Sequence, residues 1–327
     1  MTSSIPTKPS GTLPIQLPCS EAVPSNGDAI LQIAAAFIRS LGYSPPPSTR
    51  DPILKDAAIK ELTSWDLGES LEDVLKYLDV GLGAAELFYP SHEFDMKLIM
   101  AISTACLTWV DSVAQSIVNA LAEFQRRFYS RLPQLNPVLD RYATYMLKLY
   151  DHYEEYVAGA MIMSCCAYMD VNCLEVRAVT KELPAKMDAK LWPYYVRNLS
   201  GVSVFYSFAC FPKKNHPDLV NYIQAIPEML IFTNFLNDVL SYYKEDMDGE
   251  QTNYCQMMSQ VSGRSPIEVL EDVSRETVAV AKRAEQILKD SPAALKAFKE
   301  YQQGYIRFHL DVGRYRLPAA WKGQFLA

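Results

Sequence analysis

Residues 228–250 read EMLIFTNFLNDVLSYYKEDMDGE, and within them Asn237, Ser241 and Glu245 recur every four residues. On an α-helix that spacing brings an amide oxygen, a hydroxyl and a carboxylate onto one face, about 6 Å apart per step. Three hard oxygen donors from successive turns suit a hard divalent cation such as Mg²⁺, which takes few protein ligands and fills its shell with water and phosphate oxygens. Lys244 precedes the glutamate and projects near any phosphate held there. A plainer reading competes with this one. Asn234, Asn237, Asp238, Ser241, Lys244, Glu245 and Asp248 fall within an arc of roughly 120°, and an amphipathic helix with a solvated polar face shows the same pattern.

Composition narrows the class. The chain has 327 residues, and its 49% hydrophobic content supplies a substantial core. With only 13 glycines, and long segments between turn signals, it favours helices over a many-turned β fold. A net charge of −7 without a basic cluster argues against a nucleic-acid surface. No uninterrupted apolar run reaches the roughly 18 to 20 residues of a spanning helix, so no integral membrane segment is expected. Seven cysteines without a CxxC pair and four scattered histidines exclude a zinc constellation and suit a reduced, cytoplasmic protein. The Pro/Ser/Thr-rich stretch MTSSIPTKPSGTLPIQLP has no apolar centre and is neither signal peptide nor helix. Residues 1–25 are therefore expected to form a flexible tail and 26–327 one domain.

The pattern predicts an all-α fold. Helices are expected over 27–42, 52–64, 69–79, 93–111, 112–131, 137–169 with a break or bend near 156–159, 171–181, 189–211, 216–224, 227–246, 265–290 and 292–315. Gly201, inside 189–211, costs about 1 kcal/mol in a helix interior and marks either a kink or a close helix approach.

Near the C-terminus stands FHLDVGRYRL, residues 308–317. With this motif the chain resembles the class I terpene cyclases, and among them the fungal trichodiene-synthase-like branch. Asn237, Ser241, Lys244 and Glu245 fit that family's (N/D)Dxx(S/T)xx(K/R)E metal motif, and Arg314-Tyr315 fit its C-terminal RY pair. Arg197, in LWPYYVRNLSG about 40 residues before the metal motif, fits its diphosphate-sensing arginine. The likeness runs over most of residues 85–320. It implies a helical bundle around a central apolar cavity, and up to three Mg²⁺ ions held by Asp111 on one side and by Asn237, Ser241 and Glu245 on the other. Arg197, Lys244, Arg314 and Tyr315 then donate to the diphosphate of a linear isoprenoid, and the Gly201 helix break faces the cyclisation pocket. A single α-domain without a DxDD motif implies farnesyl diphosphate and a C15 product. The branch tends to form homodimers, which is the assembly the resemblance implies.

A cyclase must also shield carbocations, and aromatic faces do so by about 0.5 to 2 kcal/mol per contact. Trp109, Phe205, Tyr206 and Phe232 are the candidate pocket residues, since they lie on the helices that carry the motifs. The family's first metal motif is reduced here to LTWVDSVAQ, residues 107–115, with one carboxylate. Asp111 matches either the first aspartate of that motif, with Ser112 and Gln115 replacing the others, or the second, with Val110 replacing the first. It also reads as a carboxylate at a helix end with no metal role. Three further functions stay open: a chain-elongating prenyltransferase, which would need two aspartate-rich motifs where this chain has no complete copy, a cyclase for geranyl or geranylgeranyl diphosphate, and a catalytically silent protein that binds isoprenoid diphosphates or a partner.

Overall fold

Buried backbone must find hydrogen-bond partners, and this chain finds them locally, as helices. The computed structural model describes residues 26–48, 50–179 and 186–326. In chain order the helices are α1 (Gly27–Ser40), α2 (Pro52–Ser64), α3 (Ser70–Leu75), α4 (Leu78–Phe88), α5 (Phe94–Tyr129), α6 (Pro137–Tyr145), α7 (Leu149–His152) and α8 (Glu155–Val179). They continue with α9 (Trp192–Ser200), α10 (Ser203–Ala209), α11 (Ile226–Met247), α12 (Tyr254–Ser262), α13 (Pro266–Leu288), α14 (Pro292–Asp311) and α15 (Ala319–Leu326). Short 3₁₀ turns occur at 146–148, 219–221, 223–225 and 313–315, and no strand occurs among the described residues. The expected tail at 1–25, Cys19, and the end of the expected helix 171–181 lie outside the described residues. The other six cysteines are free thiols.

Local chemistry starts several of these helices. Asp51 caps α2 and Asn136 caps α6, each followed by a proline at the first turn. Ser265 and Glu268 form a reciprocal capping box at the start of α13. α11 runs through the middle of the bundle against α1, α9, α10, α13 and α14. Phe232, Leu236, Val239 and Leu240 are buried on its apolar side, and Asn234, Asp238 and Ser241 are buried as well. The polar stripe is therefore not a solvated face.

The structure departs from the expected boundaries where packing overrides propensity. The two helices expected over 93–111 and 112–131 meet in α5 (Phe94–Tyr129), as two helical stretches either side of a kink that falls later than expected. The kink is at Ile117 (φ −116°, ψ 17°), where Ser112 and Ser116 turn their hydroxyls back onto the carbonyls of Thr108 and Val113. Asp111 thus sits inside α5 and not at a helix end. The break expected near 156–159 falls at Tyr153, and α8 then continues unbroken past residue 171. Residues 216–224 give two 3₁₀ turns in place of a helix. Three helices were unforeseen: α4, α12 and α15. In α4, two glycines lower the helical signal, and close packing requires the first of them. A Cβ on Gly81 would lie 2.0 Å from the Ala101 carbonyl oxygen of α5.

α5 and α8 prove long and apolar enough, by length and composition, to cross a membrane, contrary to the sequence expectation. Their most apolar windows are 67% and 56% buried inside the bundle, so they serve as its core.

Candidate active site

One cavity of about 320 Å³ opens among α4, α5, α8, α9, α11 and α14. Around its polar part stand Asp111 from α5, Arg197 from α9, Asn237, Ser241, Lys244 and Glu245 from α11, and Arg314 and Tyr315 from the turn after α14. All eight residues singled out for metal and diphosphate chemistry therefore line the same space, although they span more than 200 positions of the chain.

Arg197 organises the floor. Its Nε donates to Asp238 Oδ1 at 2.7 Å, and its NH2 group donates to the Asn234 carbonyl at 2.9 Å and to Asn237 Oδ1 at 3.0 Å. Burial alone would lower this guanidinium's pKa, but the Asp238 carboxylate beside it holds it above the ordinary value. Gly201, one turn on, is required by close approach: a Cβ there would lie 1.8 Å from Asn234 Oδ1 and 2.8 Å from an Arg197 nitrogen. The helix does break here, as one of its two readings held, and close packing holds too. Val202 adopts a left-handed conformation (φ 47°, ψ 29°) that separates α9 from α10. For a β-branched residue that is a strained backbone of the kind found at functional sites.

The triad's oxygens retain capacity for a cation. Ser241 Oγ donates its one proton to the Asn237 carbonyl at 2.7 Å, a bond that leaves its lone pairs unused. Asn237 Nδ2 is 3.2 Å from His309 Nε2. Across the cavity Arg314 donates to Asp111 Oδ2 at 2.9 Å, leaving the other carboxylate oxygen uncommitted by that bond. Lys244 pairs with Asp248 at 3.4 Å and Glu250 at 4.0 Å.

Charge is out of balance. Five carboxylates (Asp111, Glu175, Asp238, Glu245, Glu250) line the cavity against three cationic side chains (Arg197, Lys244, Arg314). Burial pushes the Glu245 carboxyl up, and neighbouring Glu250 pushes it further. Glu250 is raised by its own burial, with Lys244 opposing. Burial lifts Asp238 to about 6 despite Arg197, and burial with nearby Asp111 lifts Glu175 to about 7. Asp238 Oδ2 is buried with no partner. An excess of desolvated carboxylate, one orphaned oxygen and a hard-oxygen donor set together fit a divalent cation. Among the described residues no three His, Cys, Asp or Glu converge as a metal cage, because the triad supplies an amide and a hydroxyl beside its single carboxylate.

Glu175 escaped sequence reasoning because α8 was expected to break before it. On one continuous helix it lies seven residues, two turns, beyond Tyr168, which lines the cavity with it. A pH signature follows. A carboxyl whose folded pKa is raised contributes stability that is fully present below its unfolded pKa and is lost as pH rises through the folded one. For Glu175 and Asp238 that loss runs from about pH 4 to about pH 7. Glu175→Gln is therefore expected to raise the melting temperature over wild type more at pH 8 than at pH 5. An equal shift at both pH values would contradict the assignment.

The rest of the cavity wall mixes small polar side chains, among them Thr104, Thr108, Ser200 and Asn253, with apolar and aromatic ones. Phe88 is its hub, with ring centroids 4.6 Å from Tyr305, 5.0 Å from Phe308 and 6.0 Å from Tyr206. Of the aromatic candidates only Tyr206 lines the space, its hydroxyl 3.2 Å from Thr104 Oγ1. Trp109, Phe205 and Phe232 do not. On α5 the lining positions are 104, 107, 108 and 111, a single helical stripe that leaves residue 109 on another face. Phe205 is one residue, about 100°, away from Tyr206. Phe232 packs instead on Phe298 and Tyr301, at 5.5 and 6.3 Å. Tyr305 and Phe308 carried a signal that was passed over, since they lie on the helix leading directly into Arg314-Tyr315.

Known proteins share this architecture. The family model described as Trichodiene synthase (TRI5) matches residues 91–323. Terpene synthase BipA of Cochliobolus sativus is 32% identical over 289 residues, covering 87% of this chain and 88% of that protein. Longiborneol synthase of Gibberella zeae is 32% identical over 244 residues, 73% of this chain and 72% of that protein. Among solved structures, hedycaryol synthase in complex with nerolidol covers 82% of this chain and 97% of its own, with a TM-score of 0.60 at 15% identity, a likeness of fold. The sequence match spans α5 and the C-terminal turn alike, so it covers both walls of the cavity, and with it the chain belongs to the trichodiene synthase family of terpene synthases, lyases that act on isoprenoid diphosphates.

Proposed function

We propose that this protein is a Mg²⁺-dependent sesquiterpene cyclase that ionises farnesyl diphosphate and closes the resulting cation into a C15 product. The observation that carries the reading is one cavity lined both by the charged residues and by the aromatic cluster around Phe88. Asp111, Asn237, Ser241 and Glu245 would hold the metal, up to three ions in all. Bound Mg²⁺ supplies neutralisation of the charge that develops on the departing diphosphate. Arg197, Lys244, Arg314 and Tyr315 donate to the diphosphate oxygens and fix its orientation, so that the C1–O bond breaks with its electron pair leaving on oxygen. The allylic cation is shielded by the aromatic lining, where Phe88, Tyr206, Tyr305 and Phe308 exclude water until ring closure and proton loss, or capture of one water, ends the reaction. Residues 26–327 act as the single domain that provides this cavity.

A second reading has its own support. A cavity of about 320 Å³ is small for a ligand pocket, and a relative 26% identical over 93% of this chain is named Monoterpene synthase 25 of Postia placenta. Gas chromatography of parallel incubations with Mg²⁺ and geranyl, farnesyl or geranylgeranyl diphosphate separates the readings. A volatile C15 hydrocarbon or alcohol from the farnesyl substrate is expected. Product from geranyl diphosphate alone would replace the C15 assignment, and no product from any of the three would leave a silent diphosphate binder.

A further inference from the structure

An asparagine ligates a cation only through its oxygen, yet the two ends of its amide are nearly equal in size, so some neighbour must decide which end faces the ion. His309 makes that decision for Asn237. It sits on α14, fully buried. Its Nδ1 is 2.8 Å from the Tyr305 carbonyl oxygen one turn earlier. A carbonyl only accepts, so Nδ1 carries the ring proton and Nε2 presents a lone pair. That lone pair faces the Asn237 amide at 3.2 Å and can only accept, so the NH₂ end must point to it.

The other end agrees independently. Asn237 Oδ1 lies 3.0 Å from an Arg197 NH2 group, which can only donate. An acceptor-only nitrogen on one side and a donor-only guanidinium on the other permit one amide orientation, and it places the oxygen on the Arg197 side, where the cavity lies. The His309 ring also packs against Tyr315, with centroids 4.2 Å apart and planes inclined at 35°. One buried side chain thus supports a member of the triad and a member of the C-terminal pair.

We propose that His309 is a positioning residue, one that locks the Asn237 amide with its oxygen toward the cavity and thereby sets the affinity of the α11 triad for a divalent cation. The proposal rests on the reading of Asn237 as a cation ligand.

Calorimetric titration of the full-length protein with inorganic diphosphate, over a series of Mg²⁺ concentrations, tests it without turnover. His309→Phe keeps an aromatic ring on Tyr315 and removes the acceptor. It is expected to raise the Mg²⁺ concentration for half-maximal diphosphate binding by about 10- to 100-fold, the usual effect of losing a partner that orients a metal ligand. His309→Gln offers an acceptor oxygen near the position of Nε2 and is expected to recover most of that loss. Wild-type-like Mg²⁺ dependence in the Phe variant overturns the proposal, as does an equal loss in both variants. Mg²⁺-independent binding by wild type sinks the triad reading itself, a distinguishable result. Should neither variant fold, nitrogen-15 spectra of the wild-type imidazole decide: an Nδ1–H tautomer is expected, and an Nε2–H tautomer overturns the assignment.

Discussion

Glu245→Gln is expected to lower kcat/KM for the isoprenoid diphosphate by about 10³-fold or more while the circular dichroism spectrum stays helical. The substitution keeps the shape of the side chain and one oxygen but removes the triad's only charge. A loss of 10³ corresponds to about 4 kcal/mol of transition-state stabilisation, reasonable for a ligand that acts on charge developing in a buried cavity. Stability should move the other way. Burial and the neighbouring Glu250 both raise the Glu245 pKa in the ligand-free protein, so removing the Glu245 carboxylate relieves an unfavourable buried charge. The variant should melt no lower than wild type at pH 8. Full turnover in the variant would remove Glu245 from the cation site.

Arg197→Met is expected to lose turnover and to cost about 3 to 5 kcal/mol of folding stability at neutral pH, the usual effect of breaking a buried ion pair from one side. Both partners are well covered, with side-chain exposures of 12% and 7% for Arg197 and Asp238. Without the guanidinium, Asp238 is a buried charge with no bond on either oxygen, and the Asn237 oxygen loses its donor as well. The deficit has a defined pH dependence. Asp238 already sits at about 6 with Arg197 present, and removing the cation raises it further. Its neutral form is the one the variant's interior tolerates, so the deficit should shrink as pH falls toward 4. Urea denaturation of both proteins at pH 4.5 and pH 7.5 measures this. A deficit equal at both pH values would show that Asp238 is not the group left exposed.

Much of the charged lining was legible because its signals are local. Asn237, Ser241, Lys244 and Glu245 share one helix at a spacing that geometry alone puts on one face, and Arg314-Tyr315 follows a strongly periodic helix. Glu175 and Phe88 were hidden for different reasons. Glu175 belongs to the face only when α8 continues past residue 171, and Phe88 lies on α4, whose glycines mimic a loop until the Ala101 carbonyl is seen to fill the space where a Cβ would be. The aromatic lining depended on helix rotation, so Trp109 and Phe205 missed the cavity by one or two positions. Rotation is set by packing against several partners at once, and no single segment records it.

The kink of α5 at Ile117 leaves Asp111 in the helical stretch that precedes it, in a helix packed against both α4 and α8. The groups facing it stand at helix ends: Lys244 and Glu245 near the end of α11, Arg314 in a three-residue turn beyond α14. The cavity mouth therefore joins a wall held by the core to one made of connecting segments, and the Arg314–Asp111 bond ties the two together.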